Sequence, residues 1–93
     1  MLRRLLEFLI RPLVEDMANV QIECTETPTM TLFCLWARKG DLGRILGKKG
    51  QTIEDIRRVM ETAAAREDRE VIIDVLEQPK QKSNRKKRSS SST

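Results

Sequence analysis

Asp41-Leu42-Gly43-Arg44-Ile45-Leu46-Gly47-Lys48-Lys49-Gly50-Gln51-Thr52-Ile53-Glu54-Asp55-Ile56-Arg57 carries two helical patterns separated by four residues. Leu42, Ile45 and Leu46 share one helical face and Asp41 has the side chain of an N-cap, which predicts a short helix through Leu46. A longer helix is expected from about Gln51 to Arg66, with Ile53, Ile56, Met60, Ala63 and Ala64 as its inner stripe. Thr52-Ile53-Glu54-Asp55 also reads as a capping box, which leaves that start open by about two residues. Between the helices, Gly47 can take the left-handed conformation that stops a helix. Gly50 lets a ligand approach the next helix without a Cβ in the way. That helix start offers unpaired N–H groups and partial positive charge, and Lys48 and Lys49 flank the approach. The chemistry suits phosphate. Taken alone, the four residues are equally an ordinary αα-hairpin turn with solvated lysines.

Outward from this core, Leu2, Leu5, Leu6, Leu9, Ile10, Leu13, Val14 and Met17 recur at helical spacing. An N-terminal amphipathic helix through Met17 is expected, kinked where Pro12 removes a hydrogen bond to the Phe8 carbonyl. Val20, Ile22 and Cys24 alternate with Gln21, Glu23 and Thr25, the pattern of a half-buried strand. Thr27-Pro28 turns the chain into a second strand, Met30 to Ala37, which is apolar on both faces and therefore central. Val71, Ile73 and Val75 mark a last strand. The order α-β-β-α-α-β predicts an α+β fold. An antiparallel hairpin and a right-handed two-helix crossover build a three-stranded mixed sheet, with helices on one face.

Charge is unevenly placed. The formal net charge is +4 over 93 residues, yet residues 1–77 hold 12 basic and 14 acidic side chains. From Arg38 to Arg58 there are seven cations against Asp41, Glu54 and Asp55. Residues 78–93 add Lys80, Lys82, Arg85, Lys86, Lys87 and Arg88 with no acid. A basic island on an acidic body plus a basic tail points to a polyanionic ligand. The Lys/Ser tail after Gln78-Pro79 has almost nothing to bury, so it is expected to be disordered outside a domain spanning residues 1–77.

The same residues exclude other classes. Without His, a zinc site is not expected, and Cys24 and Cys34 read as two buried, reduced thiols of a cytosolic protein. No cofactor is implied. Every Ser lies in the tail, and Glu15-Asp16 and Glu54-Asp55 are sequence neighbours that point to different sides of a helix, so an enzyme is not expected. Gly43-Arg44-Ile45-Leu46-Gly47-Lys48 has three residues between its glycines and Lys49 where a nucleotide-binding P-loop needs Ser or Thr. Glu7 and Arg11 interrupt the N-terminal apolar run, so neither a targeting peptide nor a membrane span is expected, and the location implied is cytoplasmic.

The quoted stretch resembles the KH signature, in which an I-G-x-x-G loop joins two helices. The element order is similar to the type II KH arrangement of bacteria. The likeness is closer still to the bacterial single-KH-domain proteins of the KhpA family, from Leu13-Val14 through Asp41-Leu42-Gly43 and Ala63-Ala64-Ala65 to Val75. Leu46 stands where the motif usually has Ile, and the basic tail lies outside the family core. The resemblance implies an RNA chaperone or post-transcriptional regulator that binds single-stranded RNA. Gly47, Lys48, Lys49 and Gly50 would contact the sugar-phosphate backbone, and an apolar groove beside them would hold about four splayed bases. Leu46, Ile53 and their neighbours would form the groove floor, and Arg44, Gln51 and Arg57 its rim, with Ile53 and Ile56 reading more readily as core residues alone. It further implies a homodimer, or a heterodimer with a Jag/KhpB-like KH protein. The alternative is a KH-fold dimerisation module with little RNA affinity of its own.

Overall fold

The computed structural model describes residues 1–79 of the chain. The basic positions Lys80, Lys82, Arg85, Lys86, Lys87 and Arg88 therefore lie outside the described residues. Elements run in the order α1 (Leu2–Ile10), β1 (Gln21–Glu26), β2 (Met30–Ala37), α2 (Lys39–Leu46), α3 (Gln51–Ala65) and β3 (Glu70–Glu77). The sheet order is β1-β2-β3, with β1 antiparallel and β3 parallel to β2. This is the α+β arrangement expected from the residue pattern, and the type II KH-like order that the resemblance implied.

The central strand explains the packing. Thr31, Phe33, Leu35 and Ala37 of β2 are fully buried, and Met30, Leu32, Cys34 and Trp36 on the other face are half-buried. Leu6 and Ile10 of α1, Ile45 of α2, and Met60 and Ala64 of α3 complete a core with no exposed surface at these side chains. Burying a Leu or Ile contributes roughly 1.5–3 kcal/mol, so these few residues carry much of a small domain's stability. Val71 and Ile73 close the core from β3.

Three local expectations are corrected. The first helix does not continue, kinked, to Met17. It ends at Ile10, a 3₁₀ turn covers Arg11–Leu13, and Val14 is extended at φ −114°, ψ 155°. Pro12 has no N–H to give, and the Glu15 N–H, which a continued helix would direct to the Arg11 carbonyl, donates instead to Asp41 Oδ1 at 3.2 Å. Asp16 then caps a second 3₁₀ turn by accepting the Ala18 N–H. Asp41 itself is not an N-cap: α2 starts two residues earlier with Arg38 in the cap position, and Asp41 is buried in the first turn. Cys24 is not buried either, because Ile22 is the single buried residue of β1, and both thiols are free.

A clasp that no sequence pattern announced ties the hairpin to the last strand. The Arg69 guanidinium donates to Thr31 Oγ1 (3.2 Å) and to the carbonyls of Thr27 (2.6 Å), Pro28 (3.2 Å) and Met30 (3.0 Å). At the other end of β3, Gln78 donates its backbone N–H to the Ala37 carbonyl and its side-chain amide to the Asn19 carbonyl. The hydrogen bonding thus extends one residue past the strand.

Candidate nucleic-acid interface

Helix α2 delivers the chain to the loop. Ile45, fully buried, fixes its inner face, and its last turn closes with the Gly47 N–H on the Gly43 carbonyl at 2.9 Å. Gly47 then adopts φ 76°, ψ 175°, a region held essentially by glycine and distinct from the left-handed helical value expected. A Cβ there would collide with the Thr52 side chain and lie 2.7 Å from the Thr52 backbone nitrogen. Lys48–Gly50 form one 3₁₀ turn, closed by the Gly50 N–H on the Gly47 carbonyl at 3.1 Å. Lys49 (φ 57°) and Gly50 (φ 74°) are both left-handed. A Cβ at Gly50 would meet nothing within 4 Å, so its surroundings are open.

Helix α3 starts at Gln51 with Gly50 in the cap position and no side chain capping it. The Thr52–Asp55 capping box therefore does not form. The positive end of a 15-residue helix faces outward beside two exposed lysines. Among the described residues neither Lys48 nor Lys49 makes an ion pair, whereas the nearest acids of α3 are engaged. Glu54 accepts from Arg57 at 3.1 Å, and Asp55 accepts from Gln51 at 3.1 Å and faces Arg58 at 3.8 Å. Such exposed pairs add little stability, but they offset the negative charge closest to the loop.

The other expected site residues divide. Arg44 sits one turn before Gly47, with its side chain 51% exposed and Nη1 2.6 Å from Asp41 Oδ1. Gln51 begins α3 beside the loop. Arg57 lies about 9 Å further along α3 and reaches across to β3, where Nη2 donates to the Ile73 carbonyl at 3.0 Å. Leu46 is half-buried and packs on the core. Ile53 is only 4% exposed and belongs to the core cluster. The sequence reading did not anticipate the ion pair of Asp41 with Arg44, for which their i, i+3 spacing was the available signal.

Comparison with known proteins places the chain among its relatives. The chain is similar to RNA-binding protein KhpA of Chlamydia trachomatis, 27% identical over 77 residues that cover 83% of this chain and 99% of that protein. It is similar to RNA-binding protein KhpA of Listeria monocytogenes, 29% identical over 69 residues covering 74% and 91%. The protein of the same name in Chlamydia caviae is 31% identical over 72 residues, covering 77% and 92%. The family model described as KhpA/KhpB, KH domain, matches residues 3–75, the whole span from α1 into β3. The chain belongs to the KhpA/KhpB KH-domain family.

Proposed function

We propose that this chain binds single-stranded RNA and acts as an RNA chaperone or post-transcriptional regulator. The sugar-phosphate backbone rests on Gly47-Lys48-Lys49-Gly50. The observation that carries this reading is the pairing of two exposed lysines, free of carboxylate partners among the described residues, with the uncapped start of α3. Leu46, Arg44, Gln51 and Arg57 flank that point. Aromatic side chains number three in the whole sequence, Phe8, Phe33 and Trp36, so stacking platforms are lacking and base selectivity is weak. Its relatives are named RNA-binding proteins, which supports RNA as the ligand.

Assembly as a homodimer, or as a heterodimer with a Jag/KhpB-like KH protein, belongs to the same proposal. Supporting it are Met1, Phe8 and Val59, which are 88%, 73% and 44% exposed. Met1 and Val59 border an apolar groove between α1 and α3 that Leu5 and Ala63 also line. A cytoplasmic setting belongs to the same proposal. No helix among the described residues is long and apolar enough to cross a membrane.

The test is a filter-binding titration with single-stranded RNA for the parent and for Lys48→Asp with Lys49→Asp. Two lost charge-assisted contacts, at about 1.5 kcal/mol each, predict a roughly hundredfold weaker complex. Both side chains are exposed, so the fold should survive, as circular dichroism will report. Unchanged affinity in the folded double variant would return the loop to an ordinary turn and favour the dimerisation module.

A further inference from the structure

We propose that Asp41 is a positioning residue for Arg44, presenting its guanidinium to an RNA phosphate beside the loop. The inference rests on the RNA-binding reading above. Asp41 and Thr31 are the two buried polar residues among those described, and Asp41 is 6% exposed. A carboxylate buried to that degree must be compensated by donors. Its Oδ1 receives two: the Glu15 backbone N–H at 3.2 Å and Arg44 Nη1 at 2.6 Å. One donor comes from the segment after α1, 26 residues away, and the other from the next turn of α2. The carboxylate side chain is 7% exposed and the arginine 51%, so a buried anchor holds a surface head.

Arg44 makes no other side-chain hydrogen bond among the described residues, and a guanidinium carries five N–H donors in a rigid fork. Arg44 itself stands three residues before Gly47, about 4.5 Å along the axis of α2. An arginine already held at one edge loses less rotamer freedom when it meets a phosphate, and the planar fork suits that ligand. The opposing effect is repulsion between Asp41 and the phosphate. It is the smaller one, because the cation stands between the two anions. Asp41 therefore does two things with one oxygen: it accepts the Glu15 N–H of the segment that follows α1, and it orients the arginine that flanks the loop.

The experiment compares full-length parent, Asp41→Asn, Arg44→Gln and the double variant in filter binding of oligo(U) across a salt series. Asn keeps the shape and can still accept the Glu15 N–H, but gives up the charge that holds Arg44. Asp41→Asn is expected to weaken binding about three- to tenfold. It should also flatten the salt slope by about 0.7, the loss of one phosphate contact on a single strand. Arg44→Gln should do the same, and the double variant should bind no more weakly than Arg44→Gln alone. A purely structural role would lower the melting temperature without moving the slope. A parental slope in Asp41→Asn, or two losses that multiply in the double variant, overturns the proposal. If Asp41→Asn does not fold, ¹⁵N relaxation of the Arg44 Nε–H in the parent decides: an order parameter of about 0.85 is expected, and one below about 0.6 overturns it. Lys48→Asp with Lys49→Asp runs alongside. If it binds like the parent, the RNA-binding reading itself fails; if it loses binding while the Asp41 and Arg44 variants keep the parental affinity and slope, only this inference fails.

Discussion

Replacing Arg69 by Ala should separate stability from binding. Its guanidinium has four acceptors on the hairpin: Thr31 Oγ1 and the carbonyls of Thr27, Pro28 and Met30. The Thr27 and Pro28 carbonyls are at exposed positions and can turn to water, so their loss costs little. The Met30 carbonyl keeps the Thr27 N–H at 2.9 Å. Thr31 has no such replacement: it is fully buried, and its hydroxyl loses the Arg69 Nε–H. An orphaned buried polar group costs about 1–3 kcal/mol, and the weaker losses bring the total to roughly 2–4 kcal/mol. For a domain of this length each kcal/mol moves the melting temperature by about 4–8 °C, so a drop of at least roughly 10 °C is expected. Thermal unfolding is followed by far-ultraviolet circular dichroism and by Trp36 fluorescence, Trp36 being the single tryptophan. Arg69 lies beyond the far end of α3, about 22 Å along the helix from the loop. Affinity for RNA measured well below the transition should therefore match the parent. A melting temperature within 2–3 °C of the parent, equivalent to under about 0.7 kcal/mol, would show that the clasp contributes little. Lower RNA affinity in the folded variant would show that the two ends of α3 are coupled.

The loop glycines should respond differently to alanine. Gly47→Ala meets Thr52 and a glycine-only backbone region, so a loss of about 2–3 kcal/mol in urea unfolding is expected, against about 1 kcal/mol for Gly50→Ala, whose Cβ has open space. Gly50→Ala should nonetheless weaken RNA binding in filter assays, because the methyl group would stand where a ligand backbone approaches; equal stability losses would refute the division. Val59→Asp, on the exposed α1–α3 groove, should shift sedimentation toward monomer, and a parental sedimentation profile would place assembly elsewhere. Removing the chain after Pro79 should weaken all single-stranded RNAs alike and flatten the salt slope by about 1–3, whereas superimposable salt plots would mean that the basic tail does not touch RNA.

Much of this protein was legible in its residue order because two periodicities are local properties. Alternation over Met30–Ala37, apolar on both faces, made β2 central, and the helical stripe Ile53, Ile56, Met60 and Ala64 identified the buried face of α3. Two glycines bracketing two lysines between helices located the candidate site. What periodicity could not report was competition for a single hydrogen-bonding group. The apolar repeat continues to Met17, but α1 stops at Ile10, and the Glu15 N–H finds Asp41, 26 residues away. Asp41 looked like a cap because capping is what an aspartate does with nearby N–H groups; only the fold brought a distant N–H and Arg44 to one oxygen. Cys24 and Ile53 show the same limit in opposite directions. Facing inward did not bury Cys24, since of β1 only Ile22 is buried, and adjacency to the loop did not expose Ile53, which core packing claims. Local pattern determines which face of an element is apolar. Which of those faces is covered, and which polar groups find one another, is decided when the elements pack, because burial and long-range hydrogen bonds depend on neighbours that are distant in the chain.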